Sequence, residues 1–183
     1  MTTTNQQYDQ AVEASRDIFL KKTVDYGTSW RVLRTISVVD QIYIKAKRIR
    51  TIQENRNRSV ADDIPSEFKG MLNYSVIGII QCTLAEGEAD DLPPARVSEL
   101  YDNVTGSARK LMLSKNHDYG EAWRHMSQES YTDLILSKLL RIKQILANKG
   151  QTLISEGIEA NLFDIINYSV FALIMIGEGK HGQ

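Results

Sequence analysis

The sequence predicts an all-α fold: a tandem duplication of a three-helix repeat, packed as one pseudo-twofold helical bundle. Three observations lead there. The sequence repeats itself in one register along most of its 183 residues. Its apolar residues recur at i, i+4, i+7 and i+11, the spacing of one helix face, and no segment alternates as a strand would. Only 3 prolines and 11 glycines interrupt the chain, which leaves room for long helices.

Shifting the sequence by 93 residues aligns Tyr8-Asp9 with Tyr101-Asp102, Lys22 with Lys115, and Asp25-Tyr26-Gly27 with Asp118-Tyr119-Gly120. The same shift pairs Trp30-Arg31 with Trp123-Arg124, Asp40 with Asp133, Lys45 with Lys138 and Arg48-Ile49 with Arg141-Ile142. One extra residue in the second copy moves the offset to 94, and Asn73-Tyr74-Ser75-Val76 then matches Asn167-Tyr168-Ser169-Val170. The segment 86–96 is acidic and carries Pro93-Pro94, which should not continue a helix. It is the expected linker between a first repeat at 5–85 and a second at 97–177, with a glycine-rich tail that should fray.

Each repeat reads as three helices. The first covers Tyr8 to Val24 and, in the second copy, Ser98 to Asn116; Gly27 and Gly120 lie where a left-handed residue would end it. The second covers Asp40 to Asn55 and Tyr131 to Asn148, with Ile42, Ala46 and Ile49, or Ile135, Leu139, Ile142 and Leu146, on one face. The third covers Ser66 to Leu84 and Ile158 to Ile176. It is apolar nearly all round, so it belongs at the centre of the bundle. Three helices of about 80 residues enclose a thin core, so the copies are expected to pack on each other about a pseudo-dyad, as a monomeric pseudo-dimer or a homodimer.

Composition narrows the function. Hydrophobic residues make up 42% and charged residues 25%, ordinary globular values, and 22 basic against 23 acidic residues leave a net charge of −1. That balance argues against a nucleic-acid or membrane-surface binder. The run Lys45, Lys47, Arg48, Arg50, Arg56, Arg58 reads as a solvated helix face. The amino terminus has no signal-peptide core, and Ile165 to Ile176 is too short to span a membrane and is broken by Asn167 and Ser169. The single cysteine, Cys82, permits no intrachain disulfide and no cysteine-based zinc site, so a cytoplasmic setting is expected.

The candidate functional residues are polar groups at positions where apolar ones are expected. On a helical wheel Lys45 lies roughly 20° from Ile52 and 40° from Ile49, and Lys138 sits likewise among Leu134, Ile142 and Ile145. A lysine inside an apolar stripe is either held for an anion or paired with a buried acid. On the third helix of the second copy, Glu156, Asp164 and Asn167 share one side and Glu159 lies slightly further round. Such oxygen donors suit Mg²⁺, although Glu156 and Glu159 also suit the N-terminal turn of a helix. The counterpart of Asp164 in the first copy is Gly70, so that copy should lack the acidic set. The element K-x-x-D-Y-G-x-x-W-R (Lys22 to Arg31, Lys115 to Arg124) offers Tyr and Trp to stack a base and Lys and Arg to hold phosphate; the tryptophans also suit core packing.

These motifs, with D-x-I-x-x-K-x-x-R-I and D-x-x-N-Y-(S/A), resemble the DUF1599 family, also called nucleotide modification associated domain 1, over nearly the whole chain as two copies. The resemblance implies a link to nucleotide-modification systems and a small-molecule nucleotide as partner. More distantly the pattern looks like the all-α NTP pyrophosphohydrolases of the MazG and dimeric dUTPase group, which hydrolyse nucleoside triphosphates with clustered carboxylates and Mg²⁺. Here the chain departs from that group: Asp133, Lys138 and Arg141 stand where it has an E-x-x-E pair, and Asn161-Leu162-Phe163-Asp164 where it has E-x-x-D. Two functions follow. One is a Mg²⁺-dependent hydrolase, with Asp164 and Glu159 catalytic and Glu156, Glu159 and Asp164 on the metal. Lys22, Arg31, Lys45, Arg48, Lys115, Tyr119, Trp123, Arg124, Lys138, Arg141 and Asn167 would hold the nucleotide. The other is a non-catalytic nucleotide-binding or scaffold protein.

Overall fold

The computed structural model describes residues 2–55, 63–153 and 156–181. The described residues form α1 (Thr4–Tyr26), α2 (Thr35–Glu54), α3 (Asp63–Thr83), α4 (Pro94–Tyr119), α5 (Gln128–Ala147) and α6 (Ile158–Gly177), with no strand among them. Arg56 and Arg58 lie outside the described residues.

The helix ends follow from local chemistry. Thr3 and Gln6 form a capping box, so α1 starts ahead of the expected Tyr8. Gly27 and Gly120, at φ 65° and 64°, end α1 and α4 where glycine was expected to, though two or three residues later than Val24 and Asn116. The Ser127 hydroxyl accepts from the Ser130 amide and opens α5 before Tyr131. One expectation is corrected at the linker. Pro93 is the cap of α4 and Pro94 its first residue, a position whose amide has no helical partner anyway, so the prolines start the helix instead of keeping it away until Ser98. A 3₁₀ turn follows each first helix, at Ser29–Val32 and Ala122–His125, and returns Trp30 and Trp123 to the bundle.

The two third helices form the centre. Phe68, Met71, Leu72, Ile79 and Ile80 of α3 and Leu162, Ile165, Ile166 and Val170 of α6 are all buried. Gly78 permits the close approach: a Cβ there would lie 2.9 Å from Leu162 Cδ1 and 3.4 Å from Val38 Cγ1. Taken over its full 20 residues, α6 is long and apolar enough to cross a membrane, which the shorter span Ile165 to Ile176 concealed; its window is 61% buried against the other helices. The apolar all-round pattern is thus that of a core helix.

The duplication becomes a two-fold arrangement through reciprocal contacts. Tyr8 donates to Asn167 Oδ1 at 2.7 Å and Tyr101 donates to Asn73 Oδ1 at 2.8 Å, each hydroxyl of one repeat reaching the asparagine of the other. The asparagine amides turn back to their own first helix, Asn73 to the Ser15 carbonyl and Asn167 to the Ala108 carbonyl. Both tyrosines are buried, which pushes their hydroxyl pKa values up and keeps them donors. Nearer the surface Arg16 pairs with Asp102 and Arg109 with Asp9, and Lys143 pairs with Asp40 as Arg50 does with Asp133. Every member of one pair has its equivalent in the other. The repeats are halves of one bundle, not beads on a linker.

Removing one buried hydroxyl should therefore cost more than removing one surface charge. Tyr8→Phe leaves Asn167 Oδ1 without its donor and should lower stability by about 1–3 kcal/mol. Arg16→Ala breaks a pair whose carboxylate is half exposed and should cost under about 1 kcal/mol. Urea denaturation of the two variants ranks them, and the opposite order would contradict the assignment of the buried bonds.

Candidate functional site

Below the turn that carries each tryptophan, the first, second and third helices of a repeat leave a recess. In the second repeat it is closed by an ion triad. Asp164, from α6, receives Lys115 of α4 at 2.8 Å on one carboxylate oxygen and Lys138 of α5 at 2.8 Å on the other. The Asp164 and Lys138 side chains keep only 12% and 15% of their exposure, so the charges compensate each other away from water. Burial opposes the charge on Asp164, but the two lysine hydrogen bonds with their positive charges outweigh it and hold the carboxyl below the usual aspartate range. Asp164 thus occupies the middle of the lysine pair rather than an acidic cluster.

The first repeat places its acid elsewhere. Glu67, buried on α3, accepts from Arg48 at 2.7 Å and more distantly from Lys45 at 3.4 Å. The first copy, expected to lack the acidic set, carries this one buried carboxylate. By the 94-residue offset Glu67 corresponds to Asn161, so the third-helix acid that meets the second-helix lysine lies three residues earlier in the first copy than in the second. Residues three apart share a helix face, and that spacing was the available signal. Comparing the second copy's acids with their counterparts could not find Glu67, because its own counterpart, Asn161, is not an acid.

The shift changes the space. With Gly70 in place of Asp164 and Ile77 in place of Phe171, the first-repeat recess opens to about 470 Å³, against about 150 Å³ for its counterpart. Its wall includes Lys22, Lys45, Lys69, Tyr26, Trp30 and Tyr74, and no carboxylate. In the second repeat Phe171 stacks on Trp123 with centroids 4.3 Å apart and fills the corresponding volume.

The remaining candidates disperse. Asn167 is committed to the pseudo-dyad bond with Tyr8. Arg31 ties its turn to Gln81 and to the carbonyls of Glu88 and Ala89 in the linker. Arg124 lies 4.4 Å over the Trp123 ring and bonds Glu121, Glu178, Gln7 and Thr4, joining the repeats at the amino terminus. Both tryptophans are buried, as core packing requires, while Tyr119 is exposed. Arg141 is exposed and shares an open depression with Lys138, Glu156 and Asn161.

Among the described residues the candidate carboxylates are not gathered round one point. Both oxygens of Asp164 carry ammonium groups. Glu156 precedes α6 instead of lying on it, and Glu159 is exposed on its first turn, near enough to Cys82 to add to burial in raising that thiol. Among the described residues no three His, Cys, Asp or Glu side chains are placed to share a metal ion. A hard cation needs several oxygen donors, and here two cations already compete for the best one.

Asp164→Asn should leave Lys138 facing a neutral amide and cost on the order of 3–5 kcal/mol, seen as a lower melting temperature without any ligand. The depressed pKa fixes the pH dependence. The stabilisation is complete above the ordinary aspartate range and is lost as pH falls through the lower folded value. The gap between wild type and variant should therefore be widest near neutral pH and close in acid; a gap independent of pH would disprove the ion triad.

Comparison with known proteins agrees with the internal repeat. No curated protein and no solved structure matches the sequence. The family model for nucleotide modification associated domain 1, DUF1599, matches twice, over residues 22–82 and 115–176. These segments start at the equivalent lysines Lys22 and Lys115, run through both tryptophan turns to the ends of the third helices, and cover most of the chain. The chain belongs to the DUF1599 family, nucleotide modification associated domain 1, and carries that domain in two copies.

Proposed function

We propose that the protein binds a phosphate-bearing nucleotide in the first-repeat recess, as a binding protein and not as a Mg²⁺-dependent hydrolase. The observation that carries this reading is a recess lined by three lysines and no carboxylate. Its volume of about 470 Å³ lies within the usual range for small-molecule sites, whereas about 150 Å³ in the second repeat does not. Lys22 is exposed at the rim, and Tyr26 and Tyr74 border the same opening as faces on which a base can stack. A point charge on a flexible stem suits phosphate, and three of them with no acid in the wall favour an anion over a neutral ligand. The family description points to nucleotides among anions.

The reading needs no metal. Titration calorimetry with deoxynucleoside mono-, di- and triphosphates, with and without Mg²⁺, should show one bound nucleotide per chain with affinity independent of Mg²⁺, and no phosphate release. Lys22→Ala should weaken binding about tenfold or more, the equivalent of one hydrogen bond to a charged group. Absence of binding across the series, or binding only with Mg²⁺ and accompanied by hydrolysis, would overturn the proposal.

A further inference from the structure

The two repeats disagree at one position in a way that marks where the ligand's charge sits. In the second repeat Lys115 and Lys138 grip the Asp164 carboxylate at 2.8 Å each. In the first repeat the same two lysines exist as Lys22 and Lys45, both line the recess, and Gly70 stands at the position of Asp164. Lys45 leans over the vacated backbone: a Cβ on Gly70 would lie 2.9 Å from its Cε and 3.2 Å from its Nζ.

Lys45 also keeps donors to spare. Its contact with Glu67 is 3.4 Å, longer than a charge-assisted hydrogen bond, while Arg48 holds the other oxygen of Glu67 at 2.7 Å. Lys69 adds a cation where the second repeat has Phe163. The first repeat thus keeps both lysines and has no carboxylate at the Asp164 position.

We propose that the slot over Gly70, in the recess that Lys22 and Lys45 line, is an anion subsite for one phosphate group, and that Asp164 is the second repeat's built-in occupant of the equivalent slot. This rests on the nucleotide reading for the identity of the ligand, but not for the location of the charge. Gly70 is then the residue that decides which repeat accepts ligand. A carboxylate at that position reaches both lysines and excludes a phosphate by charge and by volume. The second repeat shows that the fold accommodates a carboxylate there, held by both lysines.

Inorganic pyrophosphate without metal is the probe, titrated into the full chain and three variants. Wild type should bind one equivalent. Gly70→Asp should reduce that affinity at least tenfold and raise the ligand-free melting temperature, because Lys22 and Lys45 gain the partner that Lys115 and Lys138 already have. Gly70→Ala, on a helical backbone with only the flexible end of Lys45 to displace, should stay within about threefold of wild type. Asp164→Gly should melt lower than wild type, regain stability on adding pyrophosphate, and bind two equivalents. Unchanged pyrophosphate binding by Gly70→Asp overturns the subsite, whatever Asp164→Gly does. A wild type that takes pyrophosphate but no nucleotide, with Gly70→Asp taking neither, supports the subsite and defeats the nucleotide reading.

Discussion

A phenol and a primary amide buried side by side must satisfy each other, and in this molecule they do so only across the duplication. Tyr8 and Tyr101 stand on the first helices, Asn73 and Asn167 on the third, and each hydroxyl finds its acceptor in the other repeat. Because an unpaired polar atom in a dry interior is costly, these two bonds fix how one repeat is turned against the other. The apolar contact of α3 with α6 supplies adhesion. The tyrosine–asparagine bonds supply registration, and every recess, turn and surface pair is then placed twice.

The same logic separates what the sequence made legible from what it did not. Helix number, the centrality of α3 and α6, and the glycine stops at Gly27 and Gly120 were readable, because periodicity and φ preference act locally. The start of α4 was misjudged, since a proline pair carries opposite meanings inside a helix and at its first turn. Asn167 illustrates the harder limit. Its side chain looked like a ligand donor on an apolar helix, and only the position of Tyr8, 159 residues away, shows that it is a joint. Arg31 and Arg124 likewise drew attention as phosphate holders, but they fasten the linker and the amino terminus. Polarity in an apolar setting was a correct signal of importance that could not distinguish construction from recognition.

Within the candidate site the lysines were legible, and so was a buried acid as one possible partner for them, but Glu67, the acid that Lys45 meets, was not. Lys45 and Lys138 stood out from their stripes, and each does meet a buried acid. The acids, however, are not equivalent residues. Glu67 draws towards Arg48 and leaves Lys22 and Lys45 facing open volume, whereas Asp164 draws Lys115 and Lys138 together and shuts its recess. A single-turn displacement of one carboxylate converts a closed ion triad into a cationic recess with an aromatic rim. Aligning one acid position at a time cannot reveal this, because the difference lies in the pairing pattern.

That displacement also depends on the two copies being one chain. In a homodimer any substitution is made in both subunits, so an aspartate that closes one recess closes both, and a glycine that opens one opens both. Joining the two copies in one polypeptide removes the obligation to stay identical. One half can specialise in cohesion while the other keeps a vacancy, provided the shared tyrosine–asparagine joint is left alone. A symmetric dimer of either half would have two open recesses or two filled ones, so the covalent join is what sets Gly70 and Asp164 at equivalent positions of one bundle.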